Sequence, residues 1–221
     1  GTTLYFSIEF NQVPEIVKGC KDSIKSNCEF QGKNMTCVVQ FTKDKVIYMK
    51  VGISYIDKSQ ASINLQKELG NADFETLKGK AREIWNKNLG KIEIITDNKG
   101  QKTIFYTALY RALQTMQNIS EDGRYYSAFD RKIHSDTLDF YTSDGLWDSY
   151  RVKHPLQLLL NPEEQADMLE SYSRMYKQYG TMPLFPFPQG ELTYMLGNHL
   201  AIFTADAFFK GCRNFDLKTV Y

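Results

Sequence analysis

Residues 46–70 read VIYMKVGISYIDKSQASINLQKELG, and the spacing of their apolar residues changes halfway along. Ile47, Met49, Val51, Ile53 and Tyr55 fall on alternate positions, the repeat of a strand with one buried face. Ser59 then suits a helix N-cap, Ile63, Leu65 and Leu69 give helical apolar content, and Gly70 suits a left-handed stop. The chain therefore reads as β before this point and as helical after it. Upstream, residues 4–10 and 37–41 are further extended runs, set apart by turn-rich Gln31-Gly32-Lys33-Asn34 and Thr42-Lys43-Asp44. This predicts an antiparallel sheet or part of a sandwich, with too few strands to close a sandwich alone.

Downstream, Asp73 caps a second helix in which Phe74, Leu77, Ala81, Ile84, Trp85 and Leu89 recur at three- and four-residue steps before Gly90. A brief strand over 91–95 and a turn over 97–100 follow. Ile104, Phe105, Ala108, Leu109, Ala112, Leu113 and Met116 then form a stripe wide enough for a helix buried on more than one side. After a long aromatic loop over 120–144, residues 146–160 read as a helix broken near Pro155. Asn161 as cap, Pro162 in the first turn, and Glu163 and Glu164 at the positive end of the dipole open a helix that stops at Gly180. A Pro-rich loop over 181–190, a helix over roughly 194–210 and the start of another over 215–221 complete the chain. Long helices joined by long loops fit an α/α toroid, and a plain helical bundle is the simpler alternative.

The 221 residues are 42% hydrophobic and 24% charged, which excludes a disordered or low-complexity chain. A net charge of +1, from 27 basic and 26 acidic residues, argues against nucleic acid as partner. No run approaches the roughly 20 apolar residues of a membrane span, and no basic-then-apolar leader opens the chain, so it reads as a soluble piece. Cys20, Cys28, Cys37 and Cys212 lack zinc spacing. The first three could supply one disulfide in an oxidising compartment or remain thiols. Asn34-Met35-Thr36 and Asn118-Ile119-Ser120 are glycosylation sequons that matter only in a secreted eukaryotic protein. Aromatic residues reach 14%, many beside Gly, Pro, Asp or Glu; flat rings next to polar groups suit sugars, although an aromatic core explains the composition equally.

Two loops concentrate chemistry. In Phe140-Tyr141-Thr142-Ser143-Asp144-Gly145-Leu146-Trp147-Asp148-Ser149-Tyr150-Arg151, Trp147 could stack on a sugar ring while Asp148 accepts two hydroxyl hydrogens. The plainer alternative has Trp147 in the core, Asp144 as a helix cap and Asp148 paired with Arg151. In the second loop, Glu191 follows Met182-Pro183-Leu184-Phe185-Pro186-Phe187-Pro188-Gln189-Gly190. Such apolar surroundings would keep a carboxyl protonated, as a general acid requires. Equally, a glutamate in the first turn of a helix is favoured by the dipole alone. His134, His154 and His199 are not spaced for a metal and read as hydrogen-bonded structural residues. There is no phosphate loop and no Gly-x-Ser-x-Gly elbow.

At these loops the chain resembles glycoside hydrolase family 92, the calcium-dependent inverting exo-α-mannosidases. The resemblance rests on Ile104-Phe105-Tyr106-Thr107-Ala108-Leu109-Tyr110-Arg111, Asp122-Gly123-Arg124-Tyr125, Leu146-Trp147-Asp148-Ser149-Tyr150-Arg151 with His154-Pro155-Leu156, and Gly190-Glu191 through Met195, Gly197 and His199 to Ala205-Asp206-Ala207 and Lys210-Gly211. It implies a mixed α and β fold: the end of an N-terminal β-sandwich over 1–57, linker helices and a short strand over 58–100, and the first part of an (α/α)6 toroid over 101–221. It implies Glu191 as general acid, Trp147 and Asp148 in the pocket for a terminal mannose, and Arg124 shaping the same region. Mannose-containing glycans would be the partners, Ca2+ the cofactor with ligands not identifiable in this chain, and the periplasm or exterior the location. The second carboxylate that an inverting enzyme needs comes, in the family, from an acidic motif further along, so these 221 residues alone are expected to be inactive. The family usually flanks the acid with Asn and Thr and has Asp before the histidine, whereas this chain has Gly190, Leu192 and Asn198. A degenerate glycan-binding relative is therefore the alternative to an enzyme, and a purely structural helical scaffold a third reading.

Overall fold

The computed structural model describes residues 2–19, 22–23, 31–32, 36–43 and 46–220. The 31–34 turn, the Asn34 sequon, Cys20 and Cys28 lie wholly or partly outside these residues. Cys37 and Cys212 are free thiols. The chain divides into two compact units, Tyr5–Asn71 and Ala72–Tyr221 with Gly1–Leu4.

In the first unit, β1 (Tyr5–Phe10) pairs antiparallel with β5 (Met49–Ser54), and β2 (Ile16–Gly19), β3 (Asp22–Ser23) and β4 (Val38–Gln40) form a small sheet in the order β3-β2-β4. Helix α1 (Lys58–Glu68) packs on the β1–β5 pair. Asp57 rather than Ser59 caps α1, accepting from the Gln60 amide at 2.7 Å. Alternation along β5 is as read, but the faces are exchanged: Met49, Val51 and Ile53 are exposed, whereas Gly52 and Ser54 are buried. The reason is close approach. A Cβ on Gly52 would lie 2.3 Å from the Ala61 carbonyl oxygen and 2.6 Å from Leu65 Cβ, so the helix can rest only on this small-residue face. Opposite it, Phe6 and Ile8 pair with Ile53 and Val51 to make an uncovered apolar face.

The second unit opens with α2 (Phe74–Leu89) and α3 (Lys99–Ala112), joined by the Trp85 and Tyr110 rings at 4.3 Å. Asp73 caps α2 as expected. The broad apolar stripe of α3 is not enclosed: Leu109 is its buried residue, and Ile104 is 71% exposed. Residues 91–95 form no strand. The 120–144 region is more regular than a loop, holding the hairpin β7 (Arg124–Ser127) with β8 (Lys132–Ser135), and β9 (Tyr141–Thr142), which pairs with β6 (Gln117–Asn118) just before it. Tyr125 stacks on Phe140 at 4.0 Å and on His134 at 5.2 Å, so these aromatics are a local core.

The expected 146–160 helix is two helices, α4 (Leu146–Ser149) and α5 (Lys153–Leu160). Pro155 is the third residue of α5, where a missing N–H costs nothing, so the break precedes it. The next helix, α6 (Pro162–Tyr179), begins at proline and ends at Gly180 in the left-handed region, as read. Asn161 makes no cap bond and accepts instead from Lys91 Nζ. The hairpin β10 (Pro186–Phe187) with β11 (Gly190–Glu191), α7 (His199–Phe209) and α8 (Leu217–Val220) follow. α7 starts later than expected, after Gly197 at φ 107°. No helix among the described residues is long and apolar enough to cross a membrane.

The spine of this unit is α6, buried from Gln165 to Met175 along one side. It ties down the preceding loops through polar contacts: Gln178 with Ser127 and Tyr125, Arg174 with Asp136 and the Leu138 and Asp139 carbonyls, and Ser171 with the Tyr141 amide at 2.9 Å. Ser171→Ala strands that buried amide and should destabilise the protein by about 1–3 kcal/mol in urea unfolding. Gly52→Ala should cost about 1–3 kcal/mol through overpacking, because the obstructing carbonyl belongs to a helix backbone; an unchanged midpoint would contradict the tight α1 contact.

Candidate active site

The two chemistry-bearing loops meet through their backbones. The amides of Ser143 and Asp144 donate to the Pro186 carbonyl at 2.9 and 3.1 Å, which seats the β10–β11 hairpin against the segment leading into α4. Gly145 lies at the junction: a Cβ there would be 3.0 Å from the Phe185 ring and 3.5 Å from Asp148 Oδ2. The structure therefore brings Trp147, Asp148 and Glu191 onto neighbouring segments. Arg124, half-buried, starts the β7 strand, and Ala128 just beyond that strand lies against Gly190.

Glu191 is half-buried on β11, eight residues before α7, so a helix dipole does not explain its position. Gly190 holds φ 115°, a conformation that L side chains rarely adopt and that glycine takes without strain. The carboxyl is clamped by main chain: the Leu184 amide reaches both oxygens at 3.1 Å, and the Phe185 amide donates to Oε1 at 3.0 Å. Burial pushes the Glu191 pKa above its ordinary value, against the pull of the Phe185 and Leu184 amides, which favour the ionised form. Oε1 takes two donors and Oε2 takes one.

Trp147 is 48% exposed and Asp148 is exposed, so Trp147 is not core. The Asp148 carboxylate has no hydrogen-bond or ion-pair partner among the described residues, and Arg151 turns instead to the Tyr150 hydroxyl at 2.6 Å. A half-exposed ring beside an uncommitted carboxylate is what a sugar with adjacent hydroxyls can use.

A group that sequence reasoning missed lies beneath them. Asp144 caps nothing; the N-cap of α4 is Gly145, without a side-chain bond. Instead, its buried carboxylate meets His154 Nε2 and the Tyr172 hydroxyl, each at 2.7 Å from Oδ2, and Ser149 Oγ at 2.8 Å from Oδ1. Burial alone would raise its pKa, but the His154 imidazole, Lys153 and the Tyr172 hydroxyl outweigh that and hold it at about 2. Tyr172 is pushed well above the ordinary tyrosine range by burial, then by Asp144, with Glu191 adding to the effect. The partners come from other helices, so no local spacing signals the group. Of the remaining histidines, His134 bonds Asp130 at 2.9 Å, as read, and the His199 ring lies tilted against Tyr150 at 4.6 Å.

The glycosyl hydrolase family 92 catalytic domain matches residues 60–221 of the chain. Among solved structures, the chain is similar to the family GH92 α-mannosidase BT3965 from Bacteroides thetaiotaomicron, with 29% identity and a TM-score of 0.86, covering 99% of this chain and 31% of that one. It is similar to the family GH92 inverting mannosidase BT2199 from Bacteroides thetaiotaomicron VPI-5482, with 28% identity and a TM-score of 0.83, covering 98% and 30%. A further GH92 family glycosyl hydrolase, ccman5, matches at 25% identity and a TM-score of 0.82, covering 100% and 30%. The chain thus spans less than a third of the length of these relatives. No curated protein sequence matches it.

Because the folded-state pKa of Asp144 is depressed, its contribution to stability is present above about pH 4, the ordinary range of an unfolded carboxylate, and is lost as pH falls towards about 2. Urea unfolding across that window should show a fall that Asp144→Asn removes, alongside a loss of about 3–5 kcal/mol at neutral pH from the broken buried pair. Parallel pH curves for the two proteins would refute the pairing.

Proposed function

Since the chain belongs to glycosyl hydrolase family 92, we propose that it forms part of an exo-acting α-mannosidase in which Glu191 is the general acid. The observation that carries this reading is the Glu191 carboxyl itself, half-desolvated, oriented by two backbone amides and borne on a hairpin that is hydrogen-bonded to the segment leading into Trp147 and Asp148. Trp147 stacks on the terminal mannose, Asp148 accepts hydrogens from two of its hydroxyls, and Arg124 bounds the same region. Glu191 protonates the glycosidic oxygen as the bond to the anomeric carbon breaks. The Leu184 and Phe185 amides then stabilise the carboxylate that remains. Water attacks from the opposite face and inverts the anomeric centre, helped by a second carboxylate roughly 6.5–9.5 Å away. That base is supplied from outside these residues, so the 221-residue chain alone would lack turnover.

The resemblance also implies Ca2+, which takes six to eight oxygen ligands. Among the described residues no three His, Cys, Asp or Glu side chains converge on a metal position. These residues do not themselves make a calcium site, and no step here runs through the ion. The uncovered apolar face of β1 and β5 supports placing residues 1–57 at the end of a β-sandwich, with linker helices over 58–100. The packing of α5 on α6 and of α7 on α8 supports the first part of an (α/α)6 toroid over 101–221. Mannose-containing glycans are the partners, reached in the periplasm or outside the cell.

The test is Glu191→Gln in the full-length protein. An oligomannoside, whose leaving group needs the proton, should lose about a hundredfold to ten-thousandfold in kcat/KM, while an aryl mannoside with a good leaving group loses far less. The alkaline limb of the pH–rate profile, where Glu191 deprotonates, should vanish in the variant. Activity within a few-fold of wild type on the oligomannoside would remove Glu191 from this role.

A further inference from the structure

α4 carries the two residues assigned to the sugar, yet it is four residues long and has no side-chain cap. A single helical turn is unstable on its own, so something outside it must hold Trp147 and Asp148 in place. The Asp144 side chain does so in two ways. Oδ1 accepts from Ser149 at 2.8 Å, closing a ring of chain that contains both Trp147 and Asp148. Oδ2 is held by Tyr172 of α6 and His154 of α5, each at 2.7 Å. His154 is braced in turn by Gln165 Oε1 at 3.3 Å from Nδ1 and by the Phe203 ring at 4.1 Å. Lys153 Nζ is buried nearby without a hydrogen-bond partner. The backbone amide of Asp144 meanwhile donates to Pro186 on the hairpin that bears Glu191.

We propose that Asp144 is a positioning residue that holds the mannose-binding turn and the acid-bearing hairpin in one fixed geometry, with Tyr172 and His154 as its anchors. This rests on the reading of Glu191, Trp147 and Asp148 above. Asp144 touches no substrate. It acts through the position of α4, so its loss should weaken sugar binding without regard to the leaving group. This separates it from Glu191, whose loss discriminates between leaving groups.

The experiment uses the full-length protein with Tyr172→Phe, which removes one hydroxyl and keeps the ring, and Asp144→Asn. With a mannobiose and a dinitrophenyl α-mannoside as substrates, KM should rise roughly threefold in Tyr172→Phe and roughly tenfold in Asp144→Asn. The ratio should be the same for both substrates, with kcat on the activated one within about threefold of wild type. A merely structural role lowers the active fraction, hence kcat, and leaves KM alone; that result overturns the proposal. Amide hydrogen exchange over residues 146–150 supplies a readout independent of turnover: in Tyr172→Phe it should quicken roughly tenfold while α6 stays protected. Unchanged exchange there overturns the positioning role even if Glu191→Gln fails to behave as an acid variant. Faster exchange in a protein with no mannosidase activity would sustain the positioning role and remove the sugar from it.

Discussion

The arrangement of the helical unit depends on one buried negative charge. A carboxylate withdrawn from water is costly unless it is met by hydrogen bonds and by opposite charge, and Asp144 is met on both oxygens. Its partners lie on α4, α5 and α6, so satisfying this one group requires all three helices to arrive in register. The adjoining amide extends the requirement to the β10–β11 hairpin. Polar contacts from α6 to the β7 strand and to β9 do the same for the aromatic cluster around Tyr125. The site is built on a polar scaffold, and the apolar residues fill around it.

That scaffold explains how the acid can be both burdened and stabilised. Burial disfavours its ionised form, whereas the Phe185 and Leu184 amides favour it, and the balance leaves its pKa raised. The amides fix the direction of the carboxyl and by themselves lower its pKa, a pull that burial outweighs. Gly190, in a conformation closed to most residues, is what turns the hairpin so that Glu191 reaches those amides.

Local features were legible in the sequence where they rest on neighbouring residues. The Asp73 cap, the Pro162 start and the Gly180 stop each depend on a few adjacent positions, and each is where the spacing puts it. The Trp147-Asp148 pair and Glu191 could be singled out from their surroundings. Tertiary partnership could not be read. Residues 49, 51 and 53 alternate correctly, but which face is covered is decided by how closely α1 approaches Gly52. Asp144 reads as a cap because caps are local, while its partners on Oδ2 are ten and twenty-eight residues away. The stripe of α3 reads as a core helix, yet the partners able to enclose it are not among the described residues.

Because Glu191 keeps part of its surface exposed among the described residues, the acid role proposed for it would leave it open to recharging between turnovers. A donor that has surrendered its hydrogen must regain one before the next glycan arrives. A side chain sealed in hydrocarbon would need a relay to carry it in, but in the proposed role hydronium or buffer would deliver it straight from the medium, and the cycle would restart without any internal wire.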